Sequence, residues 1–128
     1  MTAQPSRLTT NRILLAEDDA SLRGFLVRAL ERAGYSVVAY SNGHEAYGRL
    51  QEEPFSLLLT DIVMPEMDGI ELARRAGEID PELKIMFITG FAVVSLNSGD
   101  SDFSKARVLS KPFHLRELVK EVGRALTE

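Results

Sequence analysis

The stretch at residues 57–69, LLLTDIVMPEMDG, decides the fold prediction. Its leucines form a short apolar run that turn-forming residues soon follow, which is typical of a strand buried on both faces of a parallel sheet. Asp61 comes at the carboxyl end of this predicted strand, where open α/β sheets bind their ligands. The alternative is that Asp61 is an ordinary turn residue, and one aspartate alone does not separate the two interpretations.

The composition is that of one soluble domain. The chain has 128 residues, 45% of them hydrophobic and 27% charged, and a net charge of -4, which gives no indication of nucleic-acid binding. It has no cysteine, which excludes disulfides and thiolate chemistry. No apolar run approaches the ~20 residues that span a bilayer, and the start lacks a secretory signal. We expect a disordered tail over residues 1–10, a cytoplasmic location, and neither nucleic-acid nor membrane partners.

Short apolar runs alternate with helical patterns along the chain. The predicted strands comprise residues 13–16, 37–39, 55–60, 85–88 and 108–109. Gly34 is expected to end the first helix, and the third is expected to end near Ile79, before Pro81. Residues 97–102, NSGDSD, are poor helix formers, so a fourth helix between the fourth and fifth strands is expected to be short or irregular. The alternation predicts an α/β fold, a doubly wound five-stranded parallel sheet with helices on both faces.

Polar residues occupy the ends of four predicted strands: Glu17 with Asp18, then Asp61, Thr89 and Lys111. Right-handed crossovers place these strand ends at one edge of the sheet. Clustered carboxylates repel one another unless a cation joins them, and Mg²⁺ prefers oxygen ligands. Asp61 could then act as a nucleophile and become an aspartyl phosphate, with the Lys111 ammonium and the Thr89 hydroxyl contacting the phosphoryl oxygens. Each position taken singly also fits an ordinary surface or loop residue.

These residues carry a resemblance to the response-regulator receiver domain, the CheY-like family, over residues 11–128. The matching motifs are AEDD at 16–19, TDIVMPEMDG at 60–69, ITG at 88–90 and SKPF at 110–113. The resemblance implies the flavodoxin-like strand order 2-1-3-4-5 that CheY has. It also implies phosphorylation of Asp61 by a histidine kinase or a histidine phosphotransferase, with no enzymatic activity beyond the protein's own phosphorylation and dephosphorylation.

The resemblance further implies how the metal is held and what surrounds it. Mg²⁺ would be bound by the side chains of Asp18 and Asp61 and by the backbone carbonyl of Val63, with Glu17 completing the acidic pocket. The Lys-Pro-Phe motif implies a cis peptide bond between residues 111 and 112. The family often has an aromatic residue three positions before the lysine, whereas this chain has Val at 108. For this chain, the resemblance therefore does not imply the coupled movement of threonine and aromatic side chain that is usual in the family.

Two apolar positions beside the predicted site indicate a long-lived phosphoryl group. Val63 lies two residues after Asp61, and Phe91 lies two residues after Thr89. Neither side chain can orient an attacking water by a hydrogen bond. The output surface is expected at residues 91–105 together with the fifth strand and the last helix, where apolar residues accompany weak helix formers.

Within the family, the chain is most similar to the CpdR-type group of stand-alone receivers. The segments that carry this similarity are TDIVMPEMDGIELAR, KIMFITGFA and VLSKPFHLRELV. The similarity implies an adaptor for the ClpXP protease in the bacterial cell cycle, active when unphosphorylated and fed by a histidine phosphotransferase. We expect a single receiver domain over residues 11–128 without an output domain, as a monomer or weak dimer.

Two alternatives from other functional classes stay open. The first is a phosphatase of the haloacid dehalogenase type, which also uses a strand-end aspartate and Mg²⁺. That class needs a second aspartate two residues after the first, where this chain has Val63. The second is a pseudo-receiver that binds a partner without taking phosphate, against which the complete set of polar strand-end residues argues.

Overall fold

The computed structural model describes residues 11–90 and 107–127 of the chain. Within these ranges, strands and helices alternate as predicted. The predicted tail at 1–10, the fourth helix between the last two strands, and residues 91–105 of the predicted output surface, which include Phe91, lie outside the described residues. The elements, in chain order, are β1 Arg12–Ala16, α1 Ala20–Arg32, β2 Ser36–Tyr40, α2 Gly43–Leu50, β3 Leu57–Asp61, α3 Gly69–Ile79, β4 Lys84–Thr89, β5 Arg107–Ser110 and α4 Leu115–Thr127.

The five strands form one parallel sheet in the order β2-β1-β3-β4-β5. This arrangement confirms both the predicted fold class and the strand order 2-1-3-4-5. Because every strand runs in the same direction, all five carboxyl ends lie at one edge of the sheet. The order puts β3 in the centre, with β1 and β4 beside it, so polar groups that follow these three strands become neighbours.

The leucines of β3 enter two hydrophobic cores, one on each face of the sheet. Leu58 belongs to the core that contains the buried residues of α2 and α3. Leu57 and Leu59 belong to the core that contains the buried residues of α1 and α4. All three side chains are fully buried. A strand that is covered by helices on both faces of the sheet needs apolar side chains on both of these faces. This is why the sequence of β3 begins with a continuous run of apolar residues.

Polar side chains fix the first turns of the three helices that follow β1, β2 and β3. Asp19, Asn42 and Asp68 precede α1, α2 and α3, and each side chain accepts a hydrogen bond from the backbone N–H three residues later. Gly34 follows α1 with a φ of 103°, which confirms its predicted role as the residue that ends the helix. The helices therefore start at set distances from the strand ends, and this holds the connecting loops close to the carboxyl edge.

Candidate functional site

Asp61 is the last residue of β3, one position beyond the predicted end of that strand. Its backbone pairs with Ile88 of β4, and the next N–H, that of Ile62, donates to the Ile88 carbonyl at 3.2 Å. These bonds continue the strand through Asp61, and only 6% of this residue is exposed. A carboxylate on a regular strand has a fixed position, which suits a reacting group.

Three carboxylates meet at this edge of the sheet. Oxygen atoms of Glu17, Asp18 and Asp61 lie within 4.8 Å of one another. Glu17 is fully buried, whereas Asp18 is exposed. The next acidic residue, Asp19, instead caps α1 and accepts a hydrogen bond from the Leu22 N–H at 3.0 Å. The structure therefore brings together the three acidic residues that the sequence pointed to, and it gives the fourth a structural role.

Lys111 reaches the same cluster from the turn after β5. Its ammonium donates a hydrogen bond to Oδ2 of Asp61 at 3.1 Å and lies 3.6 Å from Oε1 of Glu17. Its backbone N–H donates to the carbonyl of Thr89 at 2.8 Å, which ties the turn to the end of β4. The peptide bond between Lys111 and Pro112 is cis, as predicted. The lysine thus supplies a positive charge directly at the strand-end carboxylate.

Burial and neighbouring charges change the proton affinity of two of these groups. The pKa of Glu17 is raised to about 7, mainly by burial and also by the negative charge of Asp61, while a hydrogen bond from the Asp19 N–H and the charge of Lys111 oppose the rise. Burial lowers the pKa of Lys111, but the hydrogen bond to Asp61 and the two nearby carboxylates outweigh it, so the net shift is upward. Lys111 therefore stays protonated at neutral pH, and Glu17 is poised to lose its proton when a cation binds nearby.

The donor set fits a hard divalent cation such as Mg²⁺. Three carboxylates face the one ammonium of Lys111, which leaves two negative charges in excess when all three are ionised. Oε1 of Glu17 is buried and accepts no hydrogen bond from the described residues. Carboxylate and carbonyl oxygens are the ligands that Mg²⁺ takes in proteins. Asp18 and Asp61 are the candidate direct ligands, with Glu17 beside them.

Thr89 and Val63 belong to the same edge of the sheet. Thr89 ends β4, pairs with Ser110 of β5 and is almost fully buried. Val63 follows Asp61 by two residues in the loop between β3 and α3, and 54% of it is exposed. Their placement is that expected from the strand pattern. The phosphate contact of the Thr89 hydroxyl and the metal contact of the Val63 carbonyl stay predictions.

Two residues that support the site were not identified from the sequence. Arg23 of α1 donates a hydrogen bond from Nη1 to the carbonyl of Glu17 at 2.8 Å and so anchors the acidic turn. Gly69 begins α3 against β3, and a methyl group there would lie 2.0 Å from the carbonyl oxygen of Asp61. The Asp-Gly pair was the signal for a close approach at Gly69, but it also fits a simple turn. No local pattern indicates the Arg23 contact.

Comparison with known proteins shows the family to which this chain belongs. The family model described as "Response regulator receiver domain" matches residues 13–123. This chain belongs to the response regulator receiver family. The receiver is 73% identical over 116 residues to the "Response regulator receiver protein CpdR" of Brucella abortus (strain 2308), an alignment that covers 90% of this chain and 96% of that protein. It is 33% identical to the "C4-dicarboxylate transport transcriptional regulatory protein DctD" of Rhizobium meliloti (strain 1021), covering 98% of this chain but 26% of that longer protein.

A solved receiver structure shares the fold. The crystal structure of a response regulator receiver protein from Sinorhizobium medicae WSM419 superposes with a TM-score of 0.84 at 33% identity, covering 94% of this chain and 97% of that one. The family assignment leaves the haloacid dehalogenase alternative without support.

Among the four helices of the described residues, none has the length and apolar character needed to span a bilayer.

Proposed function

We propose that this receiver accepts a phosphoryl group on Asp61 from the phosphohistidine of a histidine kinase or a histidine phosphotransferase. The observation that carries the proposal is a buried strand-end carboxylate, 3.1 Å from the Lys111 ammonium, within a cluster of three carboxylates. A carboxylate oxygen of Asp61 attacks phosphorus, the bond from phosphorus to the donor's imidazole nitrogen breaks, and the imidazole leaves with the bonding electrons. We propose no enzymatic activity beyond this self-phosphorylation and the later hydrolysis.

The residues around Asp61 have separate parts in this transfer. Lys111, protonated at neutral pH, neutralises negative charge on the incoming phosphoryl oxygens. The Thr89 hydroxyl, at the next strand end, donates a hydrogen bond to one of them. Mg²⁺ held by Asp18, Asp61 and the Val63 carbonyl would supply further positive charge to the phosphoryl group, and Glu17 would orient the metal site.

Incubation with acetyl phosphate and Mg²⁺, followed by intact mass measurement, tests the phosphoacceptor. We expect wild type to gain about 80 Da, the mass of one phosphoryl group. Asp61→Asn should gain nothing, because its amide lacks the nucleophilic oxygen while keeping the shape of the side chain. Wild type without Mg²⁺ should gain little. A wild type that stays unmodified while folded would instead identify a pseudo-receiver.

We further propose that the output is a protein contact of the CpdR type, with the unphosphorylated form acting as an adaptor for the ClpXP protease in the cytoplasm. The support is the 73% identity to the Brucella abortus CpdR, of whose length this chain covers 96%. On this proposal, residues 11–128 form a receiver that signals through its own surface. Phosphorylation replaces the single negative charge of the Asp61 carboxylate with a phosphoryl group that carries up to two, together with new acceptor oxygens, enough to reorganise the neighbouring loops.

Binding to immobilised ClpX, in the presence and absence of beryllofluoride as a phosphate mimic, tests the adaptor proposal. The unmodified receiver should bind, and beryllofluoride with Mg²⁺ should abolish the interaction. Asp61→Asn should bind under both conditions, because it cannot take up the mimic. Equal binding of wild type with and without the mimic would contradict phosphorylation control, and no binding in either state would contradict the ClpXP assignment.

A further inference from the structure

The loop 62–68, which we call the site loop, is fixed at both ends. At its start the Ile62 N–H donates to Ile88, and at its end the Gly69 N–H donates to the Ile62 carbonyl at 2.8 Å. Asp68 in addition caps α3. The site loop carries Val63, whose carbonyl is the predicted metal ligand. Because both ends are held, a push on the middle of the loop displaces residues 63–67 rather than the strand that holds Asp61.

Gly43, the first residue of α2, lies directly against this loop. A methyl group on Gly43 would stand 2.6 Å from the carbonyl oxygen of Met67, and 3.1 and 3.3 Å from its Cβ and Cγ. The first distance is far inside the roughly 3.5 Å at which nonbonded heavy atoms attract. Since the closest atom belongs to the main chain, no side-chain rotation of Met67 removes the overlap. Any larger residue at 43 must therefore move main chain.

The helix is anchored against such a movement by buried side chains and by a hydrogen bond to β2. Ala46 and Leu50 of α2 are buried in the core that α2 shares with α3. Arg49 donates a hydrogen bond from Nη1 to the Tyr40 hydroxyl of β2 at 3.1 Å. Displacing α2 would disturb these contacts and leave a poorly packed core. Met67 of the site loop is buried in the same core, so relief of the overlap at residue 43 displaces the main chain of the site loop as well as the helix.

A second contact joins the same two elements. Nε2 of His44, the next residue of α2, lies 3.5 Å from Oε1 of Glu66 in the site loop. Glu66 has a φ of 67°, in the left-handed region that residues other than glycine seldom adopt. The first turn of α2 thus meets the loop at two consecutive residues, and the loop main chain there has a conformation that depends on its surroundings.

We propose that Gly43 is a positioning residue for the metal site. Its missing side chain lets α2 seat against Met67, and this contact holds the site loop so that the Val63 carbonyl faces the acidic cluster. The inference rests on the proposed Mg²⁺ binding by Asp18, Asp61 and Val63. It assigns to α2, which contributes no proposed metal ligand or reacting group, a part in setting the affinity for the metal.

The test compares Gly43→Ala with Gly48→Ala in the same helix, where a methyl group meets nothing within 4 Å. Gly43→Ala should weaken Mg²⁺ binding about 10-fold, the scale of disturbing an outer-shell support. Gly48→Ala should stay within about twofold of wild type. Both affinities are measured by calorimetric titration well below the melting temperature. The acetyl phosphate reaction of Gly43→Ala should be slow at low Mg²⁺ and recover at saturating Mg²⁺, a pattern that loss of stability alone does not produce.

The outcomes separate this inference from the proposed function. Failure of wild type itself to bind Mg²⁺ would refute the proposed metal site. Wild-type binding together with an unchanged affinity in folded Gly43→Ala would overturn the role of Gly43. Should Gly43→Ala not fold, Met67→Ala decides, because it removes the side chain beyond Cβ that packs on Gly43. Weaker Mg²⁺ binding in that variant supports the positioning role, and wild-type affinity overturns it.

Discussion

Replacement of Gly69 by alanine should destabilise the protein through the strand that carries Asp61. The methyl group would lie 2.0 Å from the Asp61 carbonyl oxygen, 2.9 Å from its carbonyl carbon and 3.0 Å from Cα of Ile62. All three atoms are main chain, so relief requires α3 and the end of β3 to separate by about 1 Å or more, given contact distances of roughly 3.5 Å. Overpacking of this kind typically costs about 1–3 kcal/mol.

The magnitude follows from two opposing contributions. Alanine is a better helix former than glycine by up to about 1 kcal/mol, less at a first helical position. Because the overlap involves main chain, we place the cost near the upper end of its range and expect a net loss of about 2 kcal/mol. For a domain of this size, that loss lowers the melting temperature by roughly 7 °C.

Gly77→Ala is the matched control for this prediction. Gly77 lies in the interior of α3, and a methyl group there meets nothing within 4 Å. The same substitution should therefore stabilise the protein by about 0.5–1 kcal/mol. Urea unfolding followed by circular dichroism measures both variants against wild type. A Gly69→Ala protein as stable as wild type, or stabilised like Gly77→Ala, would refute the close approach of α3 to Asp61.

Three further predictions concern the acidic cluster and the lifetime of the phosphoryl group. Asp18→Ala should weaken Mg²⁺ binding by more than about 10-fold in a calorimetric titration. Asp19→Ala should instead cost about 1 kcal/mol of stability through the lost helix cap, and its Mg²⁺ affinity should stay near that of wild type. Equal losses of Mg²⁺ affinity in the two variants would count against the proposed metal site. The pKa of Glu17 is raised from 4.5 to about 7 in the folded, metal-free protein. Between pH 4.5 and about 7, the native state therefore keeps a proton that the unfolded chain has lost. The free energy of unfolding should accordingly fall as the pH rises through this window. In Glu17→Gln this contribution should be absent, so its free energy of unfolding should fall by about 2 kcal/mol less than that of wild type between pH 5 and 8, measured by urea unfolding with EDTA. Identical pH dependence of stability in wild type and Glu17→Gln would contradict the raised pKa. Val63→Asn should speed hydrolysis of the aspartyl phosphate, because an amide at this half-exposed position can orient water; a phosphate lifetime equal to that of a Val63→Ala control, measured by intact mass over time, would argue against it.

The sequence was sufficient for the fold because its signals are local. A strand buried on both faces must be apolar throughout, and the run at 57–59 shows it. Gly34 marks the end of α1 because few other residues adopt its positive φ. The shared edge of the strand ends then follows from the handedness of the crossovers. For these reasons the elements, their order along the chain and the edge that carries the polar residues could be predicted from local signals, whereas the strand order 2-1-3-4-5 came from the family resemblance.

The distances within the site depended on tertiary structure. Lys111 and Asp61 are 50 residues apart in the chain, and no local rule gives the 3.1 Å contact between them. The sequence predicted that Glu17 and Asp18, the first two of three consecutive carboxylates, enter the site, and the structure shows why the third does not. The start of α1 at residue 20 makes Asp19 the cap and leaves Asp18 at the cluster.

Sequence by itself determined which chemical groups this receiver brings to one edge of its sheet, because periodicity and turn residues act over a few neighbours. Tertiary structure decided how those groups are held. The burial that raises the pKa of Glu17 and the approaches of Gly43 to Met67 and of Gly69 to Asp61 exist only when separate elements pack. Packing is a property of surfaces brought together from distant parts of the chain, so it cannot be read from the order of residues along it.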